Sequence, residues 1–193
     1  MKDSLKKNIF FLLAFSMSGV VILSNYLVQF PFRYFNLETV LTYGAFSYPI
    51  AFLITDLTNK TFGSVQAKKV VYFGFFTGVI ISIILSIKQI DLIFYRIAIA
   101  SGVAFLIAQL LDIKIFDRLK NRIWFIPPLV SSLISSTIDT FLFFSLAFFG
   151  SGVTWVTLAF GDLSVKFFIT ILMLVPFRII LILFKRNSIL KKI

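Results

Sequence analysis

Six apolar runs, each about as long as a bilayer crossing, leave this chain few ways to fold. They cover approximately residues 8–30, 38–56, 69–87, 93–112, 124–149 and 157–184, with only short connections between them. A hydrocarbon core of about 30 Å takes a helix of about 20 apolar residues, and without water the backbone there must satisfy its own hydrogen bonds. Composition agrees: 59% of the 193 residues are hydrophobic, 26 are Phe, and the mean hydropathy is +1.00. A soluble domain of this length could not bury so much apolar surface. The expected fold is all-α, a polytopic membrane protein forming one domain over 1–193, a bundle of six transmembrane helices. The last two runs are long enough to tilt or to include surface turns.

The chain contains no Cys and no His. That excludes disulfides, thiolate nucleophiles, histidine bases and the usual zinc sites. A net charge of +11 would suggest nucleic acid in a soluble protein. Its distribution argues for topology instead. Fourteen basic residues fall at the N-terminus, in the second and fourth connections and in the tail: Lys2, Lys6, Lys7, Lys60, Lys68, Lys69, Lys114, Arg118, Lys120, Arg122, Lys185, Arg186, Lys191 and Lys192. The opposite side has three, Arg33, Lys88 and Arg96, while Lys166 and Arg178 fall within the last run. This asymmetry predicts that both termini are cytoplasmic, in a bacterial inner membrane, with no nucleic-acid partner.

The first run also resembles a signal peptide, with a charged start, IFFLLAF and then SMSG. It continues to Leu27 and Val28, longer than a cleavable core, and its removal would spoil the charge alternation. An uncleaved first helix is expected.

Small residues mark helix contacts. Gly74, Gly78, Ser82 and Ser86 recur every fourth position in the third run, as do Ala100, Ala104 and Ala108 in the fourth. Such stripes let backbones approach closely.

The polar residues carry the functional signal. In 47–64, SYPIAFLITDLTNKTFGS, Pro49 interrupts the helix, and Thr55, Asp56, Thr58 and Asn59 follow where hydrocarbon should give way to water. In the fifth run Ser131, Ser135 and Asp139 share one face, with Ser132, Ser136 and Thr140 beside them. A mid-helix carboxylate costs roughly 2.5–3.5 kcal/mol on insertion scales, so Asp139 must face a partner or a wet cavity. It either lines a site or belongs to an internal salt bridge or serine-assisted packing. Gln109 with Asp112, and Asn25 with Gln29, lie near run ends, where snorkelling also explains polar groups. Asp162 and Lys166, spaced i,i+4, can neutralise each other. Arg178 reads as interfacial, or as a counter-charge to a buried carboxylate. Tyr43, Tyr48, Phe46 and Phe52 surround Pro49 as core, lipid-facing or stacking rings.

Five blocks carry a resemblance that covers most of the chain: SNYLVQFPF (24–32), GAFSYPIAFLITDLTNKTFG (44–63), RIAIAS (96–101), AQLLDIKIFDRL (108–119) and IDTFLFFSLAFFG (138–150). In this order they resemble the queuosine precursor transporter family, vitamin uptake transporter-like bacterial importers of 7-cyano-7-deazaguanine. Thr55, Asp56, Asn59 and Gly63 match its second-helix hallmark, and the Asp162–Lys166 spacing is similar. Lys60 follows the basic form of a variable position, so no role is carried to it.

The resemblance implies import of a deazapurine, 7-cyano-7-deazaguanine or 7-aminomethyl-7-deazaguanine, for queuosine modification of tRNA. The residue chemistry is compatible, because a carboxylate accepts two hydrogen bonds from a guanine-like edge. The expected site carboxylates are Asp56, Asp112 and Asp139, with Asn25, Gln29, Asn59, Gln109 and Ser135 as hydrogen-bonding partners and Pro49 as a hinge. No cofactor, metal site or catalytic residue is expected, and no G-x-x-x-x-G-K-S/T loop is present for ATP hydrolysis. Besides the lipid bilayer and the substrate, a homodimer is a further expected partner, since six helices are few for a complete alternating-access machine. The alternatives are a structural or assembly membrane protein without transport, and an intramembrane enzyme. The latter would need a Ser–Lys or paired-Asp centre, and the G-x-G-D pattern of an intramembrane aspartyl protease is absent.

Overall fold

A computed structural model describes residues 2–34, 37–38, 41–86 and 92–186. The side chains of Lys2, Ser82, Ser86, Lys185 and Arg186, and all of Lys88, Lys191 and Lys192, lie outside the described residues. The described residues form six helices: α1 (Lys2–Leu27), α2 (Gly44–Phe62), α3 (Ser64–Ser86), α4 (Leu92–Leu119), α5 (Ile126–Phe148) and α6 (Trp155–Arg186). The described residues contain no strand beyond an isolated bridge between Pro31 and Thr42. Among the described residues, four helical stretches are long and apolar enough to cross a membrane: Lys6–Leu27, Tyr95–Leu119, Ile126–Phe148 and Trp155–Phe184.

Helix α2 is the axis of the bundle, touching each of the other five helices. It is also the helix that carries the TDLTN run. Here the structure corrects the expected boundaries. The helix begins at Gly44, not residue 38, and continues past Asp56 to Phe62, so Thr55, Asp56, Thr58 and Asn59 lie inside it and are buried. Neighbouring helices, rather than an aqueous boundary, surround these side chains. Helix α4 is extended in the same way. It runs to Leu119, which puts Gln109 and Asp112 well inside the helix and buried, so snorkelling does not account for them.

The connections follow from local chemistry. A single residue, Gly63, joins α2 to α3 at φ 85°, a conformation that a Cβ would strain, and its N–H caps Asn59 O at 2.9 Å. Pro127 and Pro128 occupy the first turn of α5, where the missing N–H groups have no intrahelical partner to lose. At the other end of α5, Arg96 of α4 donates to Phe149 O at 2.8 Å and Leu146 O at 3.3 Å, satisfying carbonyls that the helix leaves open. Lys60 Nζ reaches Lys120 O at 3.4 Å, so the C-terminal ends of α2 and α4 share one basic end of the bundle.

The small-residue stripes are packing seams. A Cβ added to Gly74 would fall 2.4 Å from Met17, and one on Gly78 would fall 2.3 Å from Val21, so both glycines admit α1. Ala100 and Ala104 pack with Phe143, Phe144 and Ala147 of α5. Around this core the outer surface is apolar: Phe11, Phe15, Phe76, Ile80, Phe168, Ile171 and Val175 are among many large exposed side chains. Polar inside and apolar outside is the arrangement a lipid solvent selects.

Candidate functional site

Polar side chains gather at three levels along α2. The first surrounds Asp56 and lies near the basic end of the bundle. Ser132 Oγ donates to Asp56 Oδ2 at 3.2 Å and Ser131 Oγ to Oδ1 at 3.4 Å, both from the start of α5. Asp112 comes in from α4 against the same carboxylate and the same two serines. Thr55, adjacent on α2, donates to Gln109 Oε1, and Asn59 Nδ2 donates to Ile113 O at 3.2 Å. Sequence spacing explains this convergence. Gln109 and Asp112 are three apart on α4, and Ser131 and Ser135 are four apart on α5, so each pair occupies one face of its helix.

What distinguishes this level is unused hydrogen-bonding capacity. Among the described residues, six buried side-chain polar atoms have no hydrogen-bond partner; three of them, Asp112 Oδ1, Asp112 Oδ2 and Gln109 Nε2, are at this level, and a fourth, Ser135 Oγ, lies one turn further along α5. No lysine or arginine forms an ion pair with Asp56 or Asp112 among the described residues. Buried polar groups are normally satisfied because leaving one unpaired costs about 1–3 kcal/mol. Concentrating the exceptions on adjoining residues is what a binding site for a polar molecule requires. A cavity of about 10 Å³, room for a single water, lies beside Asp56 and Ser132, walled by Pro49, Leu53, Met173 and Phe177.

The second level is centred on Lys166. Its ammonium contacts Asp162 Oδ2 at 2.7 Å, Asp139 Oδ2 at 3.0 Å and Thr140 Oγ1 at 3.0 Å. Thr140 in turn donates to Asp162 Oδ2 at 2.8 Å, and all four side chains are buried. Asp139 lies eight residues beyond Ser131 on α5, about 12 Å along the axis, and its partner is Lys166. Asp139 therefore takes part in an internal salt bridge.

The third level joins α1, α2 and α4. Tyr48 Oη and Ser101 Oγ are 2.8 Å apart and reach Asn25 Oδ1 at 3.2 and 2.7 Å. Ser24 donates to Ser47 at 2.8 Å alongside. The Tyr48 ring carries Lys166 Nζ over its face at 5.0 Å, which links this level to the second. Asn25 thus belongs to a different level from Asp56. Gln29 is exposed past the end of α1, donating to Asn25 O at 3.2 Å, outside all three levels. Arg178 stacks over Trp124 at 5.0 Å and forms no ion pair with a buried carboxylate among the described residues. Among the described residues, no group of three His, Cys, Asp or Glu side chains could hold a metal ion.

Sequence reasoning did not single out Ser101, nor Tyr48 as a hydrogen-bonding group, nor Lys166 as a bridge between two helices. The last had a signal. Lys166 is a cation deep in an apolar run, and Asp139 is an anion deep in the preceding one.

Comparison with known proteins sets this geometry in a family. Residues 42–181, which include all three levels except Asn25 and Ser24, match the family described as "Putative vitamin uptake transporter". The "Probable queuosine precursor transporter" of Haemophilus influenzae is 34% identical over 203 residues, covering 90% of this chain and 86% of that protein. The "Queuosine precursor transporter" of Escherichia coli is 33% identical over 193 residues, covering 90% and 85%. A "Probable queuosine precursor transporter" of Bacillus subtilis is 25% identical over 156 residues, covering 69% and 68%. No solved structure matches. A multi-pass membrane protein with this apolar exterior and these relatives belongs to the vitamin uptake transporter family, the family of the queuosine precursor transporters it resembles.

Proposed function

We propose that this protein imports a queuosine precursor across the bacterial cytoplasmic membrane, with 7-cyano-7-deazaguanine as substrate and 7-aminomethyl-7-deazaguanine as the nearest alternative. In this reading all six helices span the bilayer and both termini are cytoplasmic, as the basic end of the bundle favours. The names of the relatives supply the substrate class, and they are named as transporters, not enzymes. The single observation that carries the site is the unsatisfied capacity at Asp112 and Gln109 beside Asp56, with Ser135 one turn further along α5. A deazaguanine presents a ring N–H and an exocyclic amine along one edge. Those donors complement a carboxylate's two acceptor oxygens, and a Gln amide can donate to a ring carbonyl. In a water-poor site these bonds count for more than in bulk.

Asp56, Asp112, Gln109 and Ser135 form the core of the proposed site, with Ser131, Ser132 and Asn59 positioning it. Asp139 belongs to the Lys166 cluster beneath, and Asn25 to the level beyond. Gln29 is left out of the proposal. The cavity beside Asp56 is far too small for a bicyclic base, so loading requires α2, α5 and α6 to separate. Pro49 lines that cavity and, having no N–H, leaves Ala45 O without its usual helical donor, which makes it the proposed hinge.

The test is uptake in a bacterium unable to make queuosine precursors. Low external 7-cyano-7-deazaguanine should restore queuosine in tRNA when this chain is expressed, and Asp112→Asn at equal membrane level should not. No rescue by well-expressed wild type would sink the transport assignment. Normal rescue by both Asp112→Asn and Asp56→Asn would retain the transporter and discard the site.

A further inference from the structure

At the basic end of the bundle an open groove of about 600 Å³ lies between the first turns of α3 and the last turns of α4. Lys68 lines it from α3, and Lys114 and Arg118, four apart on one face of α4, line it from the other side. All three are exposed, and none has an ion-pair or hydrogen-bond partner among the described residues. The groove's carboxylate, Asp117, is held by Lys120 at 3.0 Å, so it does not neutralise them. The N-terminus of α3 at Ser64 adds partial positive charge to the same wall.

Toward the middle of the bundle the character of the two helices changes. Tyr72 and Phe76 continue the stripe of Lys68 up α3, and Ile107 and Val103 continue that of Lys114 up α4. All four are 40% exposed or more. A basic pocket, a tyrosine at its rim and then a bare apolar strip reproduce, in order, the parts of an amphiphile.

We propose that this groove holds the phosphate headgroup of an anionic phospholipid, with an acyl chain lying along Phe76 and Ile107. The proposal rests on α3 and α4 both crossing the bilayer, but not on any substrate. Cationic pockets between helices at a membrane face attract such headgroups, and each nearby Lys or Arg strengthens attraction about fivefold.

Native mass spectrometry of the detergent-purified protein, with phosphatidylglycerol and phosphatidylcholine added in equal amounts, tests it. Wild type should retain phosphatidylglycerol preferentially. Lys68→Gln should weaken that preference about fivefold and the triple variant with Lys114→Gln and Arg118→Gln about a hundredfold. A control with Lys6→Gln, Lys7→Gln and Arg122→Gln changes the net charge equally and should keep it. An equal loss in the control would overturn the proposal, as would no preference in wild type. Displacement of the lipid by inorganic phosphate alone would assign the groove to a free anion instead. Binding is read on purified protein, so it fails or succeeds separately from precursor uptake.

Discussion

Asp139 and Asp162 meet a lysine, whereas Asp56 and Asp112 meet each other and a pair of serines and form no ion pair among the described residues. Both clusters are buried, and α5 contributes to each, so burial alone does not separate them. The difference is in what is left over. Around Lys166, one ammonium answers two carboxylates, and Thr140 closes the ring of contacts. Around Asp112, acceptors and a donor amide remain unspent. A closed network holds helices in register, while an open one is available to a ligand. If the proposed site is right, a buried carboxylate in such a bundle is told apart by its unmet bonds and not by its depth.

The sharpest way to break this distinction is to remove the lysine. Lys166→Met leaves two carboxylates buried without a cation, and breaking a buried pair in this way costs about 3–5 kcal/mol. Membrane abundance and the melting temperature in detergent should both collapse. Neutralising the whole cluster, by adding Asp139→Asn and Asp162→Asn, should recover most of the abundance, because the uncompensated charge is then gone. If Lys166→Met alone is as abundant as wild type, the cluster is not a structural clasp.

The opposite cluster should respond in the opposite sense. Asp112→Asn keeps the shape of the side chain and removes one of two adjoining carboxylates, so the melting temperature should hold or rise. Uptake of the deazapurine should fall about 10–100-fold, the worth of about 1.5–3 kcal/mol for hydrogen bonds to a charged group. Measuring both quantities on one preparation is the check. A loss of stability matching that at Lys166 would erase the contrast between the two clusters.

Much of this was legible in the sequence, and the gaps have physical reasons. The apolar runs announce six helices, and the isolated carboxylates Asp56, Asp112 and Asp139 stand out against them. Periodicity also puts Gln109 with Asp112, and Ser131 with Ser135, on common faces. The helix ends were misplaced because an apolar run marks where lipid could be, not where hydrogen bonding stops. Thr55 to Phe62 and Ile113 to Leu119 stay helical because their neighbours on α4, α2 and α6 pack on them. The i,i+4 pair of Asp162 and Lys166 is present, but the second partner of Lys166 is hidden from the sequence for another reason. Asp162, one turn away, already explained the lysine locally, and nothing in the spacing says that α5 turns Asp139 toward the same ammonium. Pairing across helices depends on how each rotates in the bundle, which a single sequence does not encode visibly.

The smallest effect probes the joint between the clasp and the far end of the bundle. Tyr48→Phe keeps the ring beneath Lys166 but deletes the hydroxyl that reaches Asn25 and Ser101. Ser101 still donates to Asn25 at 2.7 Å, so the remaining pair stays satisfied. Hydrogen bonds between membrane helices are worth about 0.6 kcal/mol on average and about 1.7 at most. The expected loss is therefore a melting shift of roughly 2–4 °C, with uptake of the deazapurine changed less than by Asp112→Asn. Replacement by Leu instead removes the ring face as well and should add a further loss of about 1 kcal/mol if the cation rests on it. Equal melting temperatures for the Phe and Leu variants would show that Lys166 is held by its carboxylates alone, and that the second and third levels are independent.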